Sequence, residues 1–367
     1  MSRIHVLVVD DSVVVRRFLS DVLSADPELA IAGTAASGRI ALAKIPQVAP
    51  DLVVLDLEMP DLDGLATLRE IRRLYPRLPV VMFGSITDGS AAVSLEALAL
   101  GPTEFVAKPA NVDSLHRGVE QVSSELVVKI KGLCARLRPL TTRPRPLPDP
   151  AVVSRIRPPA PRPAFGGIGI VAIGASTGGP DALAELLPAL PADFPVPIVV
   201  VQHMPPVFTT RFARRLDAAC ALSVREAQTA DLVLPGRVLL APGDYHMRLR
   251  RDDDTVRVVL DQAAPESFCR PAVDPLLRSA AEVYGGRTLG VVLTGMGQDG
   301  MRGCERLRGL GATILAQDEK TSVVWGMPGA VAGAGLASRV LPLEALAGEI
   351  LRLVLGRADA AVRAGAT

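Results

Sequence analysis

Cysteine is scarce in this chain. Its 367 residues hold four (Cys134, Cys220, Cys269 and Cys304), scattered and without a C-x-x-C pair. That distribution excludes a disulfide framework or a thiolate zinc site as the organising element, and makes a reducing cytoplasm the expected compartment. An excess of charge of one sign is missing as well. Forty basic residues against 39 acidic leave a formal charge of +1, so no global field draws in nucleic acid or a membrane surface. Although 49% of the residues are hydrophobic, no apolar run reaches the length a membrane-crossing helix needs. The opening segment Ile4-His5-Val6-Leu7-Val8-Val9-Asp10-Asp11 is too short, and acidic too soon, for a signal peptide. Histidine is equally rare for a chain of this size, at four residues, which narrows any search for a catalytic base.

What is present is alternation. The length favours two or three domains, each able to bury a core. In residues 1–125, short apolar runs predict strands at Ile4–Val9, Leu29–Ala35, Leu52–Leu55, Val80–Phe83 and Phe105–Ala107. Amphipathic stretches between them, such as Val13–Leu23, Leu65–Leu74 and Ala91–Leu100, predict helices. Five strands alternating with helices describe a doubly wound, flavodoxin-like α/β domain. Composition changes sharply over residues 136–162, which are dense in proline and arginine with Asp149 as their only acid. Proline at that density sustains neither helix nor sheet. The stretch has no aromatic residue on which bases could stack, so residues 126–166 read as an interdomain linker rather than a nucleic-acid-binding strip. Regular patterning resumes at Gly167 and runs to about residue 356, as a second, Rossmann-like parallel-sheet domain, and residues 357–367 read as a tail.

In the first domain, chemistry collects at the ends of strands. Asp10 and Asp11 follow the first, Asp56 the third and Lys108 the fifth. A doubly wound sheet brings these loops to one edge, where three carboxylates repel one another unless a hard cation such as Mg²⁺ neutralises them. An aspartate after a strand also serves as a helix cap, but four such residues at successive strand ends exceed what capping needs. Residues 1–125 resemble a bacterial response-regulator receiver domain, on Asp10-Asp11, Leu55-Asp56, Met59-Pro60-Asp61, Asp63-Gly64 and Lys108-Pro109. The resemblance implies that Asp56 accepts a phosphoryl group from a histidine kinase. It also implies that Asp10, Asp11 and Asp56 hold Mg²⁺, that Lys108 pairs with the phosphate, and that Phe105 is the switching aromatic. One position departs: receivers carry Ser or Thr directly after the fourth strand, and here Gly84 stands there with Ser85 next. Adjacent strand residues point to opposite faces, so Ser85 replaces that hydroxyl only if the backbone bends.

Three apolar runs of the second domain each end in a residue that acyl transfer uses. Ile168–Ile173 leads into Gly174-Ala175-Ser176-Thr177-Gly178-Gly179, Ile198–Val201 into Gln202-His203-Met204, and Leu289–Leu293 into Thr294-Gly295-Met296-Gly297-Gln298-Asp299-Gly300. Continuous apolar runs read as parallel strands buried on both faces, and ligands bind beyond their carboxyl ends. A serine, a histidine and an aspartate at that edge make a nucleophile, a base and an orienting acid. Gly174-Ala175-Ser176-Thr177-Gly178 fits the G-x-S-x-G elbow, but His203 precedes Asp299, unlike the order of an ordinary α/β-hydrolase. A phosphate-cradling loop is the rival reading; it wants G-x-G-x-x-G and an acid closing the next strand, and neither is present.

His5 and His116 belong to the first domain, which leaves His203, with His246 in reserve. Among the acids, Asp274 before Pro275 reads as a helix N-cap and Asp244 as a turn residue. Asp299 is therefore the orienter. Glycines at 295, 297 and 300 let backbone N–H groups approach a reacting carbonyl.

This half resembles the catalytic domain of the CheB family of chemotaxis protein-glutamate methylesterases. The resemblance rests on residues 174–180, Gln202-His203-Met204, Ala241-Pro242-Gly243, Val273-Asp274-Pro275 and residues 294–300. It implies a cytoplasmic serine hydrolase with the triad Ser176, His203 and Asp299, and with the N–H groups of Thr177 and Met296 near the oxyanion. It also implies glutamyl methyl esters and glutamines on chemoreceptor helices as substrate, no cofactor for hydrolysis, and control by phosphorylation. Two other classes stay open: a response regulator whose second half only binds a ligand, and a transcription factor. The latter needs a helix-turn-helix or a basic face, and neither is found outside the linker.

Overall fold

The structure is a computed structural model that describes residues 3–84, 103–108, 126–134 and 167–356. The proposed helix over 91–100, Ser85, Pro109, His116, residues 136–162 and the 357–367 tail lie outside the described residues. The chain divides into two compact units, Met1–Leu137 and Arg138–Thr367.

In the first unit the predicted strands form: β1 (Ile4–Val9), β2 (Leu29–Ala35), β3 (Leu52–Asp56), β4 (Val80–Gly84) and β5 (Thr103–Ala107). They pair in parallel in the order β2-β1-β3-β4-β5. Helices α1 (Val13–Ser24), α2 (Gly38–Val48) and α3 (Gly64–Leu74) lie between strands. Each begins on a side-chain cap, from Ser12, Ser37 and Asp63 respectively, satisfying a backbone N–H that the first turn leaves unpaired. β1, β3 and β4 are almost wholly buried, as the continuous apolar runs require.

The start of the expected linker is corrected. Residues 126–134 are helical and bury Leu126, Ile130, Leu133 and Cys134. Lys129 Nζ donates to Phe105 O at 2.6 Å, and Lys131 pairs with Asp26 at 2.9 Å, so this segment belongs to the first unit.

The second unit is built on a seven-stranded, all-parallel sheet. Its strands are β6 (Ile170–Ala175), β7 (Ile198–Gln202), β8 (Ser223–Glu226), β9 (Arg237–Leu240), β12 (Thr288–Val292), β13 (Thr313–Gln317) and β14 (Arg339–Leu341). Their order is β14-β13-β12-β6-β7-β9-β8. An antiparallel hairpin, β10 (His246–Asp252) with β11 (Thr255–Asp261), stands apart from it. The helices are α4 (Gly179–Leu186), α5 (Phe208–Ala219), α6 (Val273–Tyr284), α7 (Met301–Gly309), α8 (Met327–Gly333) and α9 (Leu343–Leu355). From β6 the chain winds outward through β7, then returns to β12 on the opposite side. The strand order therefore reverses between β6 and β12, the position at which doubly wound sheets open a crevice. Among the described residues, no helix is long and apolar enough to cross a membrane.

Candidate active site

Ser176, His203 and the loop carrying Asp299 follow β6, β7 and β12, the three adjacent central strands. The strand ends are stitched together by the backbone. His203 N donates to Ala175 O at 3.1 Å and Ser176 N to Thr294 O at 3.0 Å. Buried Gln202 adds two bonds from Nε2, to Ser176 O at 2.9 Å and His203 O at 3.1 Å. The serine turn can approach the β12 loop because residue 295 is glycine. A Cβ there would meet Met327 Sδ and stand 2.8 Å from Ser176 Cβ. Beyond it, Gly297 and Gly300 have φ of 79° and 89°, the left-handed region that glycine enters without steric penalty.

Asp299 is 1% exposed, and every bond it receives favours the charged form. Its Oδ2 accepts from His203 Nε2 at 2.7 Å and from Val273 N at 2.6 Å. Its Oδ1 accepts from Asp274 N at 3.0 Å and Gly300 N at 2.9 Å. Burial alone would raise its pKa, but His203 and the backbone N–H donors outweigh that and hold it below the usual carboxylate range. Burial likewise disfavours a charged His203, yet Cys269 and Asp299 against its two nitrogens hold the imidazole above its ordinary value.

This arrangement corrects the reading of Asp274. The N-cap of α6 is Ala272, and Asp274 lies inside the first turn, with Oδ1 accepting from Gly303 N at 2.7 Å. Asp299 performs the capping from across the crevice. His246, the reserve base, is fully buried. Its Nδ1 accepts from Ala272 N at 3.2 Å, and its Nε2 lies 3.1 Å from Ala264 O. Both nitrogens are spent on ordering the chain before α6. Asp244 sits in a turn with φ of 66° and pairs with Arg270.

Ser176 Oγ forms no hydrogen bond among the described residues. The nitrogen of His203 that Asp299 leaves free, Nδ1, stands 3.4 Å from Cys269 Sγ, a neighbour that sequence reasoning missed. The N–H groups of Thr177 and Met296 have no acceptor among the described residues, whereas Gly295 N is spent on Val324 O at 3.0 Å. Two free backbone donors beside a serine fit an anionic oxygen.

The first unit carries a second constellation. Asp10 and Asp56 are buried, and Lys108 Nζ reaches Asp10 Oδ2 at 2.8 Å and Asp56 Oδ1 at 2.7 Å. Desolvation raises the Asp56 carboxyl to about 6 against the opposing pull of Lys108. Burial weakens the Lys108 ammonium, but Asp10 and Asp56 more than restore it and hold it above its ordinary value. Asp10, Asp11 and Asp56 each offer an oxygen within 4.8 Å of the others. Asp10 Oδ2 and Asp56 Oδ2 are buried with no aligned hydrogen-bond donor, Asp10 Oδ2 despite its ion pair. Asp56 Oδ2, left bare beside two further carboxylates, suits a hard divalent cation. At Gly84 a Cβ would come within 2.7 Å of Leu57 Cδ1, so Leu57 fills the space a side chain there would need. Phe105 is buried.

Comparison with known proteins agrees with both halves. Residues 171–350 match the family model described as CheB methylesterase, and residues 6–120 match the response regulator receiver domain. A protein-glutamate methylesterase/protein-glutamine glutaminase of Trichodesmium erythraeum (strain IMS101) is 49% identical over 96% of this chain and 100% of its own length. A protein of the same name from Nocardioides sp. (strain ATCC BAA-499 / JS614) is 49% identical over the full length of both. The crystal structure of the Thermotoga maritima CheB methylesterase catalytic domain matches with 46% identity and a TM-score of 0.50. It covers 52% of this chain and all of that one.

Proposed function

The chain belongs to the CheB methylesterase family, with a receiver domain ahead of the catalytic domain, and from that premise we propose that Ser176, His203 and Asp299 are its nucleophile, base and orienting acid. The enzyme is a protein-glutamate methylesterase and protein-glutamine glutaminase whose receiver makes it responsive to phosphorylation. The observation that carries the assignment of residues is the 2.7 Å contact of His203 Nε2 with a buried, ionised Asp299, one strand from Ser176.

Ser176 Oγ attacks the γ-carbonyl of a glutamyl methyl ester on a chemoreceptor helix while His203 takes its proton. With Nε2 committed to Asp299, Nδ1 is the nitrogen left to receive it. Asp299 fixes the tautomer and stabilises the imidazolium that forms. The N–H groups of Thr177 and Met296 meet the negative charge that develops on the carbonyl oxygen. His203 returns its proton to the leaving methoxide, methanol departs, and the imidazole then deprotonates a water that hydrolyses the acyl-enzyme to glutamate. With glutamine, ammonia leaves instead of methanol.

In the receiver, Asp56 accepts the phosphoryl group from the histidine kinase of the chemosensory system, and Lys108 pairs with its oxygens. Asp10, Asp11 and Asp56 are the residues that would hold Mg²⁺, which when bound supplies positive charge against the transferring phosphoryl group. Phosphorylation shifts the population toward the form that hydrolyses receptor esters.

Methanol release from methylated receptor tests the triad. Ser176→Ala should lower kcat by at least ~10³ with little change in substrate binding. Near-wild-type turnover would remove Ser176 from the mechanism and leave the second half a binding module. Equal activity with and without a phosphoryl donor would sever the receiver from the esterase.

A further inference from the structure

His203 has two ring nitrogens and two partners, and Ser176 is neither. Asp299 takes Nε2 at 2.7 Å, and Cys269 Sγ stands 3.4 Å from Nδ1. The cysteine arrives on a tight turn anchored at both ends. Glu266 N donates to Cys269 O at 3.2 Å and Cys269 N to Glu266 O at 2.9 Å. Ser267 and Phe268 between them have φ of 52° and 62°, left-handed values that non-glycine residues avoid. The Glu266 carboxylate is tied to Arg278 on α6. Arg270, on the other side of Cys269, donates from Nε to Asp244 Oδ1 at 2.9 Å. Two strained residues and two ion pairs thus converge on the placement of one sulfur.

Taking Ser176 as the nucleophile, as above, we propose that Cys269 is a positioning residue for the esterase: its sulfur holds Nδ1 of His203 between turnovers and yields that nitrogen to Ser176 when the ester binds. A sulfur partner suits the task. It fixes the ring by a long, weak bond that a hydroxyl can displace, where an oxygen partner would bind more tightly. When the ring is protonated, its Nδ1–H can donate to the sulfur, a weak acceptor, which favours the charged imidazole.

The groups around the ring define what this does to its charge. Cys269 and Glu266 come from the turn, Asp299 from the loop after β12, and Asp274 and Arg278 from α6. Of these, Cys269 and Asp299 touch the ring, and both raise His203 against the effect of burial. The Asp274 carboxyl and Arg278 are instead themselves raised in part by the charge of Asp299. Because the base must be neutral to accept a proton, the acid limb of kcat/KM follows His203. Removing the sulfur should move that limb to lower pH.

The test uses the full chain with Cys269→Ala and Cys269→Ser. The His203 ring is titrated by ¹⁵N NMR, its signal assigned by loss in His203→Gln. The expected result is a midpoint lower by about one pH unit in Cys269→Ala, with Cys269→Ser between it and wild type. The acid limb of kcat/KM should shift by the same amount. An unchanged His203 midpoint in both variants overturns the proposal. If the alanine variant loses its fold by circular dichroism, the serine variant decides. The NMR titration reads the ring without turnover, so failure of the Ser176 assignment shows separately, as activity retained in Ser176→Ala.

Discussion

Asp299 Oδ2 accepts from His203 Nε2 at 2.7 Å and from the backbone nitrogen of Val273 at 2.6 Å, so one carboxylate both orients the proposed base and caps helix α6. Catalysis and stability are therefore coupled at this residue. Asp299→Asn should lower kcat by on the order of 10³–10⁴, because an amide cannot stabilise the imidazolium. It should also destabilise the second unit by about 1–3 kcal/mol, the penalty for weakening bonds to buried donors. The sign with pH is fixed. The folded carboxyl lies below its ordinary value, so its contribution is present above about pH 4 and fades as pH falls through the folded value. Urea denaturation at pH 7 and pH 3 checks this: the gap between wild type and variant should narrow at the lower pH.

Gly295→Ala tests how closely the serine turn must approach. The added methyl would press on Met327 Sδ and on Ser176 Cβ, 2.8 Å away. Backbone bonds from Gly295 N to Val324 O and from Met327 N to Gly295 O, at 3.0 and 2.8 Å, leave the loop little room to retreat. A nucleophile displaced by about 1 Å loses on the order of 10²-fold in rate. Steady-state kinetics should show the loss in kcat, with KM nearly unchanged. Wild-type kcat in a folded Gly295→Ala would mean that the turn has slack.

What the sequence made legible was the part written in contiguous residues. Apolar runs located β1 and β2 with their observed ends, and the polar residues after β6, β7 and β12 located Ser176, His203 and Asp299 at one edge of the sheet. Local reading erred where a distant group took a local role. Asp274 has the form of a cap, yet the cap comes from Asp299, 25 residues on. Cys269 lies 66 residues from His203, and no periodicity predicts that a strained turn brings them together. Helix α2 carries Pro46 inside it, a residue that argues against helix in sequence. The segment 126–134 was hidden by the proline-rich stretch beside it, although Leu126, Ile130 and Leu133 are spaced for one helical face.

Asp56 is ionised at a stability penalty. Desolvation raises its carboxyl from 3.8 to about 6, so at pH 7 the charged form destabilises the folded first unit, by up to about 3 kcal/mol. The penalty is complete above the folded value and disappears as pH falls toward the unfolded one. Asp56→Asn should therefore raise the melting temperature of this unit at pH 7 and have much less effect at pH 4, as read by differential scanning calorimetry. Mg²⁺ should raise the wild-type transition more than that of the variant, and its affinity by isothermal titration calorimetry should weaken below about pH 6, where the carboxyl takes up a proton. An Asp56→Asn protein melting below wild type at pH 7 would contradict the burial argument.

Gly84 and Leu57 occupy one volume between them. A Cβ on residue 84 would stand 2.7 Å from Leu57 Cδ1 and 3.0 Å from Leu57 Cβ, and both residues are buried in the receiver. Restoring a hydroxyl by Gly84→Ser therefore overpacks the site and should destabilise the unit by roughly 1–3 kcal/mol. Leu57→Ala alone opens a cavity and should cost about 2–5 kcal/mol. The two changes relieve each other, so the double variant should be more stable than the sum of the single effects by at least about 1 kcal/mol. With the hydroxyl accommodated, the activity gain on adding a phosphoryl donor should exceed that of wild type, because the hydroxyl that Gly84→Ser introduces can then bind a phosphoryl oxygen on Asp56. Chemical denaturation of the four proteins measures the coupling, and methanol release with and without the donor measures the gain. Strict additivity would show that Leu57 does not hold the space the side chain needs.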